Sequence, residues 1–187
     1  MALFTFALML AACGGGQPLS PAAHLGGAGG GLVSAEARWW PLAVSGEHVF
    51  LGENESLSLL DVSDPAHPRR VDETILDAPV LHLAIYEDHL LALTRNGLRV
   101  VDMQSLAVTG EYDLPESLDM RLHSDQITLL STDRQNAQAI LVTLSLKNPK
   151  KPRRLGETRL ETRHLIQDLL LTAGDQLCLA DANWWAG

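Results

Sequence analysis

A strand pattern that recurs along the chain is the feature that most constrains its fold. Four six-residue segments begin with an acidic residue and a polar residue and continue as a mainly apolar run; they start at Glu47, Asp88, Asp125 and Asp175. The steps between these four starts are 41, 37 and 50 residues. Repetition at a nearly constant period indicates that one supersecondary unit is stacked several times.

A proline-rich motif follows the strands of this repeat. Residues 61–70 read DVSDPAHPRR, and residues 145–154 read SLKNPKKPRR, 84 residues further along, or two periods of 42. Proline has no N–H for a strand ladder, and Asp or Asn before it stabilises a turn through its side chain. The motif is therefore expected to be a turn that recurs in each unit. A period of this length with about four short strands is the size of a β-propeller blade.

Short runs of β-forming residues between turn residues predict an all-β fold. The predicted strands are 42–44, 48–52, 57–61, 81–85, 90–94, 98–102, 126–131, 139–144 and 176–180, and the ambiguous segment 162–171 is also read as a strand. Residues 38–187 hold between three and four such repeats, whereas propellers usually have four to eight blades. We therefore expect an incomplete propeller that is a fragment of a longer protein or is closed by a partner. Open strand edges would favour self-association.

Residues 42–182 carry a family resemblance, which is strongest in the first unit. The sequences AVSGEHVFLG at 43–52 and LSLLDVSDPAHP at 57–68 resemble the LVIVD repeat of bacterial and archaeal surface β-propellers. The second unit keeps Asp102 but replaces the Asp-Pro turn, and the third keeps the turn with Ser145 in place of the aspartate. The resemblance implies a β-propeller of the bacterial surface-lipoprotein type.

The N-terminal segment MALFTFALMLAAC has the pattern of an export signal. Its end, Leu10-Ala-Ala-Cys13, resembles the lipobox of bacterial lipoproteins, in which the cysteine thiol is lipidated. We predict a signal peptide at 1–13, a lipid anchor on Cys13 and a flexible Gly-rich tether at 14–37. Gly14 favours the outer membrane or cell surface. No Lys or Arg precedes Arg38, so either the start lies upstream of Met1 or the segment is not an export signal.

The balance of charges restricts the class of partner. The net charge is −9, with 23 acidic and 14 basic residues, which disfavours nucleic acid. Within this acidic chain the proline-rich motif carries a basic cluster in two units. The candidate partner-binding residues are Arg69, Arg70, Lys150, Lys151, Arg153 and Arg154. They are interpreted either as a solvated turn or as a contact for an anionic protein patch or lipid head group.

No catalytic, cofactor-binding or metal-binding residue is predicted. The motifs of a nucleophile elbow and a P-loop are absent from the sequence. Asp61, Asp64 and Asp102 are interpreted as caps of strand ends, and His48 and His89 as turn-adjacent residues of the repeat. The preferred function is a non-enzymatic surface scaffold that binds a protein or glycan. The alternative is a secreted propeller hydrolase whose site lies partly outside this chain, at a ring centre lined by polar and acidic residues.

Overall fold

The computed structural model describes residues 40–161, 166–172 and 176–181, and it describes side chains for 40–161. The described residues form 14 strands joined by turns, and they include no helix that could cross a bilayer. The predicted signal peptide, lipidated Cys13 and tether lie outside the described residues.

Three four-stranded antiparallel sheets follow one another along the chain, and each has its strands in sequence order. Blade I consists of β1 (Leu42–Ser45), β2 (His48–Glu53), β3 (Ser56–Asp61) and β4 (Arg69–Ile75). Blade II consists of β5 (Val80–Tyr86), β6 (His89–Thr94), β7 (Gly97–Asp102) and β8 (Val108–Asp113). Blade III consists of β9 (Ser117–His123), β10 (Gln126–Asp133), β11 (Gln138–Ser145) and β12 (Arg153–Glu161). A hairpin of β13 (Ile166–Thr172) and β14 (Gln176–Asp181) follows.

The first strands of successive units lie side by side. Contacts join β1 to β5, β5 to β9 and β9 to β13. The first strand of each blade is therefore innermost, and the fourth strand is the outer edge of its sheet. This is the arrangement of β-propeller blades around a central axis, and it confirms the predicted all-β propeller architecture.

Two apolar cores hold the blades together, and β6 contributes to both. Leu90 and Ala92 pack toward Phe50 of blade I, whereas Leu91 and Leu93 belong to the core that blade II shares with blade III. Successive side chains of a strand point to opposite faces, so a strand between two cores must be apolar throughout. This explains the unbroken apolar run 90–93 of β6; all six residues of the strand are buried, including the polar His89 and Thr94 at its ends.

The predicted strands are all present within the described residues, although residues 162–165 of the predicted strand 162–171 lie outside them, and four further strands were not predicted. Three of them, β4, β8 and β12, are the outer strands of their blades; β4 and β12 are almost entirely exposed, and β8 is exposed at half of its residues. Because solvent reaches these strands, their residues need not alternate between apolar and polar. The fourth, β9, is an inner strand that carries charged residues, which hides its pattern.

Candidate partner-binding site

The proline-rich turn of blade I is held by its own carboxylates. The Ser63 N–H donates to Asp61 Oδ1 at 2.9 Å, and the Ala66 N–H donates to Asp64 Oδ1 at 3.1 Å. His67 Nδ1 lies 2.8 Å from Asp64 Oδ2. The bond from the Ser63 N–H holds the pKa of Asp61 below its usual range. These bonds confirm that Asp61 and Asp64 cap the end of β3.

The same position caps the third strand of the other two blades. In blade II, Asp102 Oδ1 accepts hydrogen bonds from the N–H groups of Gln104 and Ser105, at 3.1 and 2.9 Å. In blade III, Ser145 Oγ accepts the Lys147 N–H at 3.4 Å. Serine therefore keeps the capping role of the aspartate but brings no negative charge.

The strand register supports the same repeat. The residue that opens the second strand pairs with the capping residue of the third; the pairs are His48 with Asp61, His89 with Asp102, and Gln126 with Ser145. The equivalence of His48 and His89 thus reflects a shared position beside the turn. The two proline-rich turns likewise join the third and fourth strands of blades I and III, so they lie on the same rim.

All six predicted partner-binding residues were expected in a turn, and for four of them this expectation is wrong. Arg69 and Arg70 begin β4, and Arg153 and Arg154 begin β12. The second proline ends the turn, and the first arginine then pairs with the capping residue of the third strand. Lys150 and Lys151 do lie in the turn.

The bases of blade I are engaged by acids of their own blade. Arg69 Nη2 lies 3.3 Å from Asp61 Oδ2, and Arg70 Nη1 lies 2.8 Å from Glu73 Oε2. Exposed pairs of this kind contribute little to stability, but they offset the charge that a partner would meet.

The bases of blade III are largely free. Arg154 pairs with Glu157 at 2.6 Å, whereas Lys150, Lys151 and Arg153 are exposed and form no ion pair in the part of the chain that the structure describes. Arg153 lacks the pair that Arg69 makes because its cross-strand neighbour is Ser145 instead of an aspartate. Blade III therefore presents unpaired positive charge, and blade I does not.

An open cleft of about 560 Å³ lies beside these free bases. One wall is the β8 segment 108–111, and the other is the turn segment 150–152. The turn approaches β8 closely at Gly110, where a Cβ atom would come within 2.7 Å of the Lys150 carbonyl oxygen. Glycine at this position therefore allows the turn of blade III to rest on blade II.

A second polar cluster lies on the inner strands and was missed by sequence reasoning. Asp119 of β9 is fully buried, and its Oδ1 lies 3.2 Å from His82 Nε2 and 2.5 Å from Arg121 Nη1. The Met120 N–H donates to the same oxygen at 2.7 Å. A buried carboxylate requires such donors, and here they connect β9 to β5 of the preceding blade. The charged residues within β9 were the feature of the sequence that could have indicated this cluster.

The alternative function, a propeller hydrolase with polar and acidic residues at its ring centre, stays a prediction.

A third cluster surrounds the buried side chain of Arg99 on β7. Its Nη2 lies 2.6 Å from Asp77 Oδ2 and 3.0 Å from Asp113 Oδ1. Asp77 belongs to the connection between blades I and II, and its pKa is lowered chiefly by the hydrogen bond from Arg99. The cluster fixes this connection to the outer half of blade II.

Four histidines lie on four different strands: His48 in β2, His82 in β5, His89 in β6 and His123 in β9. Among the described residues, no group of three or more His, Cys, Asp or Glu side chains could hold a metal ion.

Comparison with known proteins supports the repeat and the fold. Residues 39–73, which include most of blade I, match the family model described as the LVIVD repeat. No curated protein matches the sequence.

Among solved structures, the computationally designed Ika4 protein matches with a TM-score of 0.56 and 10% identity, over 82% of this chain and 99% of Ika4. The designed Ika8 protein matches with a TM-score of 0.52 and 10% identity, over 71% of this chain and 39% of Ika8. The N-terminal domain of Nup159 matches with a TM-score of 0.47 and 20% identity, over 64% of this chain and 30% of that domain. The chain thus spans less than two thirds of Ika8 and of the Nup159 domain. Together with the three blades, the family match identifies residues 39–73 as an LVIVD repeat within a partial β-propeller.

Proposed function

We propose that this chain is a non-enzymatic binding scaffold of the cell envelope that meets an anionic partner at the β11–β12 turn of blade III. The observation that carries the proposal is the unpaired charge of Lys150, Lys151 and Arg153. These bases stand out in a chain with a net charge of −9. Each base near an anionic surface contributes about 1 kcal/mol, and the attraction fades within a Debye length of about 8 Å at physiological salt.

The scaffold is anchored, in this proposal, by a lipid on Cys13 at the outer membrane or cell surface. The support is Leu10-Ala-Ala-Cys13 and the Gly-rich segment that follows it. The mass of the mature N-terminus tests the anchor: a lipidated Cys13 is expected, and an intact Met1 or a cut at another site contradicts it.

The matched turns of blades I and III provide a controlled binding test. The full chain carrying Cys13→Ser, which prevents lipidation, is applied to immobilised polyglutamate at low salt. We expect Lys150→Gln/Lys151→Gln/Arg153→Gln to abolish retention. The control Arg69→Gln/Arg70→Gln removes the two arginines of the same motif in blade I, where each is already paired, and should leave retention nearly unchanged.

Equal retention of the triple variant and the parent would contradict the proposed site. An anionic glycan and anionic vesicles, tested in parallel, distinguish a protein partner from the two other sources of negative charge. Retention should fall steeply as salt rises for whichever probe binds.

A further inference from the structure

We propose that the partner is an extended acidic peptide that adds a strand to the outer edge of β8, an inference that rests on the proposed function. Blade II has the strand order β5-β6-β7-β8, so β8 has no strand on its outer side within the described residues. Such an edge presents N–H and C=O groups to an incoming strand, and peptides are commonly recognised in this way.

The cleft distinguishes β8 from the other outer strands. The turn of blade III borders β8, so a peptide that pairs with β8 also contacts the segment 150–152. A β-bulge between Val100 and Val101 places Thr109 outside the regular register with β7. Regular pairing is therefore expected along Gly110–Asp113, with one end of the peptide entering the cleft.

The charges around the cleft specify which peptide fits. Lys150 and Lys151 line the cleft and have no ion-pair partner among the side chains of residues 40–161, so they favour acidic side chains on the peptide face directed toward blade III. The Cβ position of Gly110 is directed toward the same turn. Glu111 is the next residue of β8, so its side chain points to the opposite face, where it disfavours an acidic neighbour.

The expected ligand therefore alternates acidic and uncharged residues. An alternating peptide places all its acids on one face of a strand, whereas a blocked sequence of the same composition divides them between both faces. The two peptides have the same net charge, so a purely electrostatic site should bind them equally. A site that adds the peptide as a strand should prefer the alternating sequence.

The test uses the full chain with Cys13→Ser and three eight-residue probes, with binding followed by fluorescence anisotropy. The first probe is a blocked-end (Glu-Thr)₄ peptide, the second has the sequence Glu₄Thr₄, and the third is (Glu-Thr)₄ with alternate backbone nitrogens methylated on the edge that pairs. We expect the first to bind at least about tenfold more tightly than the third, because methylation removes backbone donors. The second should also bind more weakly than the first.

Two variants test the side chains. Lys150→Gln/Lys151→Gln should weaken binding of (Glu-Thr)₄ by about 30-fold, which corresponds to two bases near an anionic ligand. Glu111→Gln should preserve or increase the affinity, and it serves as the control of an exposed β8 residue whose side chain lies on the other face of the strand.

The outcomes separate the two proposals. If all three peptides bind equally and the lysine variant loses binding, strand addition is overturned while the anionic-partner site stands. If the lysine variant binds (Glu-Thr)₄ as the parent does, the anionic-partner site is overturned as well. If no peptide binds but an anionic glycan does, the peptide proposal fails and the partner is a glycan.

Discussion

The capping position of the third strand combines two roles in one side chain. Asp61 accepts the Ser63 N–H with one oxygen and pairs with Arg69 through the other. Ser145, at the same position in blade III, keeps the hydrogen bond to the backbone and leaves Arg153 without an acid. One difference between Asp and Ser therefore decides whether the arginine across the strand is available to a partner.

We predict that Ser145→Asp reduces polyglutamate binding because the new carboxylate pairs with Arg153. The reverse change, Asp61→Ser, should release Arg69 and increase binding at blade I. Retention on immobilised polyglutamate measures both effects, and thermal unfolding checks that the fold is kept. If Ser145→Asp leaves retention unchanged while it remains folded, Arg153 does not contribute to the site.

Asp77 gives the stability of the protein a dependence on pH. Its pKa in the folded state lies below the usual range of an aspartate, chiefly because Arg99 donates a hydrogen bond to it. A depressed pKa means that the stabilisation is present above the unfolded-state pKa and is lost as the pH falls through the folded-state value. The contribution should therefore be complete near neutral pH and decline below about pH 4.

We expect Asp77→Asn to lower the free energy of unfolding near pH 7 by about 1–2 kcal/mol, because buried Arg99 loses a charged acceptor but keeps Asp113. The value is modest because the Asp77 side chain is 40% exposed and solvent screens the pair. Urea unfolding at pH 7 and pH 3 measures the difference between parent and variant. If the difference in the free energy of unfolding between parent and variant is as large at pH 3 as at pH 7, the pH dependence does not arise from Asp77.

At the scale of strands, the sequence predicts most of the strands that face a core and misses the three outer strands and the charged inner strand β9. Phe50 of β2 and Leu129 of β10 lie in apolar runs because their strands pack between blades. In contrast, β12 is exposed along its whole length and carries charges on both faces, so no apolar period marks it.

The candidate site was predictable only in part. Repeat equivalence in the sequence identified the bases of the two proline-rich motifs. The difference between paired Arg69 and unpaired Arg153 depends on cross-strand register, which the sequence alone did not provide. The wall of the cleft that β8 forms was also unpredictable, because it depends on how blades II and III pack against each other.

We predict that Leu91→Ala destabilises the protein by about 2–5 kcal/mol, because it opens a cavity in the core between blades II and III. The matched control is Leu155→Ala on β12, where the same atoms are removed from a side chain that is 45% exposed. That change should stay within about 0.5 kcal/mol of the parent. Urea unfolding measures both variants, and similar losses would contradict the assignment of β12 as an exposed strand.

At the scale of the molecule, exposed apolar side chains concentrate at blade I. Of the eight large exposed apolar residues in the described part of the chain, five belong to blade I or directly precede it: Trp40, Leu42, Val44, Val71 and Ile75. Leu42 and Val44 alternate with Ala43, which packs against the core with blade II, so they lie on the opposite face of the sheet. An uncovered apolar sheet face of this kind favours association.

We therefore predict self-association through blade I, in addition to the association expected from open strand edges. Sedimentation of the full chain with Cys13→Ser should show a mass that rises with concentration. The variant Val44→Lys/Ile75→Lys should remain monomeric over the same range. A monomeric parent at all concentrations would contradict the prediction, as would unchanged association of the variant.

The position of β6 between two cores also determines the order in which the protein should open. Blade II loses packing on both sides only when both neighbouring blades are lost, whereas β4 and β12 can detach from one side of their own sheets. Amide protons of β6 should therefore exchange with solvent only through global unfolding, and those of the outer strands through local opening. Because β6 packs into both cores, the three blades should unfold cooperatively. A substitution that destabilises blade I is therefore expected to lower the stability of blade III through blade II, and the reverse is also expected.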